Sequence, residues 1–171
     1  MAVTTTIDEY NTVSETLQAD VANLNMGSDD SPELTPATYP ITAHATIFGF
    51  EKWVQMNMVG VDNKVDNLQV WLSAGSLDAE ADLKASTRTA TQTGYLNPSF
   101  GTPTQLASSD ASWDIEEADP GEANLGIGGA LAGNITTDGV SDYLVLQYQP
   151  TASHPAGDIS QLTLTFQWDE Q

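Results

Sequence analysis

The tightest limit on the fold comes from residues 162–169, where Leu162, Leu164, Phe166 and Trp168 alternate with Thr163, Thr165, Gln167 and Asp169. A period of two sends the first set to one side of an extended strand and the second to the other. Wound into a helix, the same residues would scatter around the axis. Residues 51–59 repeat the pattern, with Trp53, Gln55, Asn57 and Val59 on one face and Lys52, Val54, Met56 and Met58 on the other. Residues 41–50, 68–73, 82–89, 105–113 and 142–149 are further strand candidates, set apart by Gly, Pro, Asn and Asp. Gly60 to Asn67 reads as a turn, with 68–73 the strand returning from it. About seven or eight short strands of this kind predict an all-β fold, an antiparallel β-sandwich of the jelly-roll type.

The first forty residues read differently. Ile7, Tyr10, Val13, Leu17, Val21 and Leu24 recur at spacings of three and four, which predicts an amphipathic helix over 7–25. Asp8, Glu9, Glu15 and Asp20 fall mostly off that stripe. Residues 26–40 are polar and proline-rich and read as a linker. The expected organisation is an N-terminal arm, helical or extended, over 1–40 and a β domain over 41–171. The helix either docks on a neighbour or packs on its own sheet.

Twenty-four acidic residues face four basic ones, Lys52, Lys64, Lys84 and Arg88, for a formal charge of -20. Such a surface repels phosphate backbones and anionic headgroups, so neither free nucleic acid nor a membrane is an expected partner. No apolar run approaches the roughly 18 residues of a membrane span. The start, through Glu9, lacks the basic and apolar regions of a secretory signal. Two origins of the acidity stay open: a salty habitat, which screens the self-repulsion, or a basic partner. The first predicts a melting temperature that keeps rising beyond about 0.5 M salt, where ordinary screening is nearly complete. A flat curve above that point rules it out.

No catalytic, cofactor-binding or metal-ligating residue is assigned. With no cysteine in the chain, thiolate chemistry and cysteine zinc sites are out. His44 lies in a predicted strand and His154 in a Ser-His-Pro turn, and no Gly-x-Ser-x-Gly elbow accompanies them. Glu116, Glu117 and Asp119 form an acidic loop rather than a glycosidase dyad. Gly126 to Gly133 lacks the third glycine of a dinucleotide fingerprint and the Gly-Lys-Ser/Thr of a P-loop, so it reads as close packing or a tight loop. Asp62, Asn63, Asp66 and Asn67 offer oxygens for a structural calcium, but they lack the EF-hand glycine and glutamate; a turn is the preferred reading. Asn134-Ile-Thr136 matches a glycosylation sequon. Trp53, Trp71 and Trp168 are expected in the core or on a sheet face. Trp113, flanked by acids, is either buried or an exposed anchor.

Several stretches together resemble small virion structural proteins of tailed bacteriophages and their archaeal relatives. They are Tyr39-Pro-Ile, Phe50-Glu-Lys-Trp-Val-Gln, Asn67-Leu-Gln-Val-Trp-Leu, Asn124-Leu-Gly-Ile-Gly-Gly-Ala-Leu-Ala-Gly, Ser141-Asp-Tyr-Leu-Val-Leu-Gln-Tyr-Gln and Phe166-Gln-Trp-Asp-Glu. The resemblance implies a non-enzymatic protein of the virion, assembled in the host cytoplasm and in contact with the major capsid protein or with tail and neck proteins. Capsid decoration is the leading role, with a homo-oligomer, a trimer by preference. The alternatives are a tail, neck or baseplate accessory protein, or a carbohydrate-binding module with Trp113 or Tyr95 as sugar platform.

Overall fold

The computed structural model describes residues 2–11, 16–42, 48–88, 113–115, 117–155, 157 and 159–171. Its strands are β1 (Thr4–Asn11), β2 (Thr16–Gln18), β3 (Lys52–Val59), β4 (Val65–Ala74), β5 (Ala81–Arg88), β6 (Trp113–Asp114), β7 (Asn134–Ile135), β8 (Gly139–Val140), β9 (Tyr143–Pro150) and β10 (Thr163–Glu170). The protein is all-β, every described pairing is antiparallel, and the described residues contain no helix. One sheet runs β2-β1-β3-β9-β5-β6, with β8 also on β3; the other runs β10-β4-β7.

The alternation in 51–59 is realised as read. Val54, Met56 and Met58 enter a core shared with Leu144 and Leu146 of β9 and with Val65, Leu68, Val70 and Leu72 of β4 in the second sheet. Leu164, Phe166 and Trp168 of β10 pack on that core half-buried. The opposite face of the larger sheet is buried too, at Trp53, Gln55, Tyr143, Val145 and Gln147. Tyr10, Trp53 and Tyr143 form an aromatic cluster there, with ring centroids 5.3 Å and 5.4 Å apart.

The predicted helix over 7–25 is replaced by strands. β1 pairs with β3 from Thr4 opposite Val59 to Tyr10 opposite Trp53, and β2 folds back on β1. Five consecutive β-branched residues, Val3 to Ile7, favour the extended chain and resist helix. Asp8 and Glu9, which the helix would have left outside, are buried. Residues 26–40 are tied to the same body. Ser28 N–H donates to Tyr39 O, Phe50 N–H to Gly27 O and the Asn25 amide to Leu34 O, and Leu34 is buried.

The predicted return of 68–73 onto β3 is also corrected. β4 leaves β3 altogether and pairs with β10 and β7 in the other sheet. The crossing is held by Asp138, whose Oδ1 accepts the N–H groups of Gly60 and Val61 at 2.7 and 3.1 Å. Two register shifts against β10 each place the extra residue on β4. Asn67 sits at one of them with φ of 53°, a left-handed conformation that asparagine tolerates. In the predicted strand 41–50 the described residues are not strand, and 43–47 lie outside the description; of the predicted strand 105–113, residues 105–112 lie outside it as well and Trp113 belongs to β6.

Candidate functional site

Four of the chain's side chains are cationic, and Lys52 is buried. Lys52 shares the core-facing side of β3 with Val54 and Met56, and the β1–β3 register brings Glu9 beside it. Lys52 Nζ donates to Glu9 Oε1 at 2.7 Å and to the Ser31 carbonyl at 2.7 Å, and both side chains are fully buried. Burial pushes the Glu9 carboxyl above its ordinary value of 4.5, against the pull of Lys52 and with a small push from Asp30. Among the described residues, Glu9 Oε2 and both amide atoms of Asn11 find no hydrogen-bond partner. The cluster ties β1, β3 and the 26–40 segment together, closed to solvent.

His154 stands beside a phenol. Its Nδ1 lies 2.7 Å from Pro155 O, which only accepts, so Nδ1 carries the proton and the neutral ring's Nε2 accepts from Tyr148 OH at 2.9 Å. Burial first, then the Asp78 carboxylate, push the Tyr148 hydroxyl up to about 12, so it remains a donor at neutral pH. Asp78 Oδ2 lies 3.4 Å from the same Nε2 and forms an ion pair when the ring is protonated. His44 lies outside the described residues.

The glycine run closes a tight turn. Ile127 and Ala130 bridge across Gly128 and Gly129, whose φ angles of 63° and 87° are left-handed. The buried Asp142 carboxylate accepts the Gly129 N–H at 2.8 Å, and Asp142 N–H donates to Gly126 O at 2.8 Å. An added Cβ at Gly126 would lie 2.5 Å from Asp142 Oδ2, and at Gly133 it would strike the Ile127 carbonyl. A carboxylate thus sits where a phosphate would have to bind, which disfavours nucleotide chemistry on electrostatic grounds.

Several of the other polar candidates are committed to backbone or neighbours. Asp62 and Asn63 lie on the bend before β4, while Asp66 and Asn67 lie within it. Asp66 pairs with Lys64 at 2.6 Å, and the Asn67 amide donates to Asp169 at 3.1 Å. Among the described residues no three His, Asp or Glu side chains converge as a metal cage. Glu117 accepts the Leu77 N–H and Asp119 the Gly121 N–H, while Glu116 lies outside the description. Asn134 is exposed on β7. An open groove of about 470 Å³, lined by Asp66, Asn67, Glu122, Ala123, Leu131 and Ala132, runs beside β7.

Trp53 and Trp71 are buried and Trp168 is half-buried, while the Trp113 side chain and Tyr95 lie outside the description. Two fasteners carried no pattern in the sequence. Ser141 Oγ accepts the Met56 N–H at 3.0 Å where β8 and β9 break step along β3. The Asn124 amide accepts from Val70 N–H and donates to Val70 O, both at 2.8 Å, closing an edge of β4 as a strand would. The Lys52–Glu9 pair did leave a signal: one cation in register with the apolar side of an alternating strand.

Comparison with protein-family models, curated proteins and solved structures gives no match to the chain.

Proposed function

We propose that this chain is a non-enzymatic structural protein of a virion, a capsid decoration protein that stabilises the particle through protein–protein contacts. Its two sheets are read as a sandwich of the jelly-roll type, and its partners as the major capsid protein and further copies of itself. The observation that carries this reading is where the polar side chains go. Lys52, Glu9, Asp138, Asp142, Ser141 and Asn124 bond strands and turns to one another, so the surface left for function consists of sheet edges, loops and acids. A surface of that kind works by interface burial. A standard interface takes about 800 Å² per partner, roughly a tenth of the 8623 Å² accessible here, which leaves room for neighbours on several sides. The quoted stretches that resemble virion proteins support the same reading.

Quantitative mass spectrometry of density-purified particles from the source culture, scaled to the major capsid protein, is the test. Near-lattice abundance is the expected result. A few to a few dozen copies per particle would move the protein to the neck or tail. Absence from the particle would overturn the virion reading and turn attention to glycan binding.

A further inference from the structure

The edges of the two sheets are not equally protected. In the larger sheet the terminal strand β2 has three residues, and two residues of the other terminal strand, β6, are described. In the smaller sheet one edge is β7, two residues long, with the Asn124 amide closing β4 beyond it. The other edge is β10, eight residues long. Both of its register irregularities are absorbed by β4, so β10 itself is regular. Its sequence, Thr-Leu-Thr-Phe-Gln-Trp-Asp-Glu, contains neither the proline nor the lysine that edge strands commonly carry against pairing. No described residue pairs with its outer edge.

We infer that the outer edge of β10 is a docking site for β10 of a second copy, joined antiparallel about a two-fold axis centred on Phe166. The strand is self-complementary in this register. Residues directly opposite in an antiparallel pair share a face. Centring on Phe166 therefore sets Phe166 against its own copy and Leu164 against Trp168, which extends the half-buried apolar face across the junction. On the other face it sets Thr165 against Gln167 and Thr163 against Asp169. The two Asp169 carboxylates then stand six residues apart along the ribbon, about 20 Å, and no acid opposes an acid. The joined sheet has six strands where each copy has three. Each copy carries a formal -20, so association needs screening and strengthens with salt. This inference rests on the edge alone and stands apart from the virion reading.

Thr163 is exposed and tests the register without touching the core. Thr163→Glu places two like-charged pairs against Asp169 in one step, and Thr163→Lys places two opposite-charged pairs. Sedimentation equilibrium at about 0.5 M salt, where the screening length is about 4 Å, reads the result across loading concentrations. We expect a monomer–dimer equilibrium, weakened about 2- to 30-fold by Thr163→Glu and tightened over a similar range by Thr163→Lys. The same charges introduced at exposed Thr137 should leave it unchanged, and unfolding midpoints should show all variants folded. A monomer at every concentration in 0.5 M and 2 M salt overturns the inference. So does a trimer or larger assembly, or a dimer on which the Thr163 and Thr137 substitutions act alike.

Discussion

Lys52→Met is expected to lower folding stability by about 3–5 kcal/mol at pH 8. The substitution keeps the length of the apolar stem but removes the charge that faces the buried Glu9 carboxylate and the donor to Ser31 O. What remains is an acid in a low-dielectric site with no counter-ion, and the cost is that of keeping it ionised or protonating it. Glu9 is already held above its ordinary 4.5 by burial, and loss of Lys52 moves it further up. A carboxyl raised in the folded state contributes its full stabilisation below the unfolded value and loses it as pH rises through the folded value. The deficit of Lys52→Met should therefore shrink between pH 8 and pH 5. Urea unfolding at both pH values measures this, and Lys52→Met combined with Glu9→Gln should recover most of the loss. A deficit equal at the two pH values, or below about 1 kcal/mol, would mean that the pair is not the tie described.

The second large effect belongs to the aromatic cluster on the opposite face of the same strand. Trp53→Ala should cost about 3–5 kcal/mol, which for a chain of this size lowers the melting temperature by roughly 6–20 °C. The indole packs against Tyr143 and Val145, and its Nε1 donates to Glu51 Oε2 at 2.8 Å. Removing it opens a cavity beneath Tyr10 and takes an edge-on ring partner from Tyr143. Trp53→Phe retains the ring packing and loses the indole hydrogen bond, so its shift should be well under half as large. Calorimetric or circular-dichroism melting separates the two; a shift below about 3 °C for Trp53→Ala would show that the cluster contributes little to holding β1 and β9 on β3.

Local periodicity carried much of the fold. The two faces of β3 were legible residue by residue, down to Lys52 lying with the methionines, and the alternation of 162–169 matches half-buried Leu162, Leu164, Phe166 and Trp168 against exposed Thr163, Gln167 and Asp169, with Thr165 half-buried as well. Two opposing signals coexist in the N-terminal segment. The three-and-four spacing of Ile7, Tyr10, Val13 and Leu17 competes with the β-branched run Val3 to Ile7, and pairing along β3 decides for the strand. Pairing itself left no local trace. Gly60 to Lys64 look like a hairpin turn, yet the Asp138 carboxylate that captures them arrives from far along the chain. The same holds for Asp142 with Gly129 and for Asn124 with Val70: each partner is an ordinary loop residue until the fold brings them together.

The crossing from β3 to β4 also governs how this architecture comes into being. Because the chain changes sheets there rather than turning back, Lys52 must find Leu146 and Val65 must find Glu170 before either sheet has its neighbours. Among the described strand ladders, β1 with β2 is the one between close neighbours in the chain. The remaining ladders must close long loops before any contact rewards them. Topologies dominated by distant pairing reach the native state in milliseconds to seconds rather than microseconds. β10 is the last of the strands in chain order, and until it pairs, β4 has one flank uncovered.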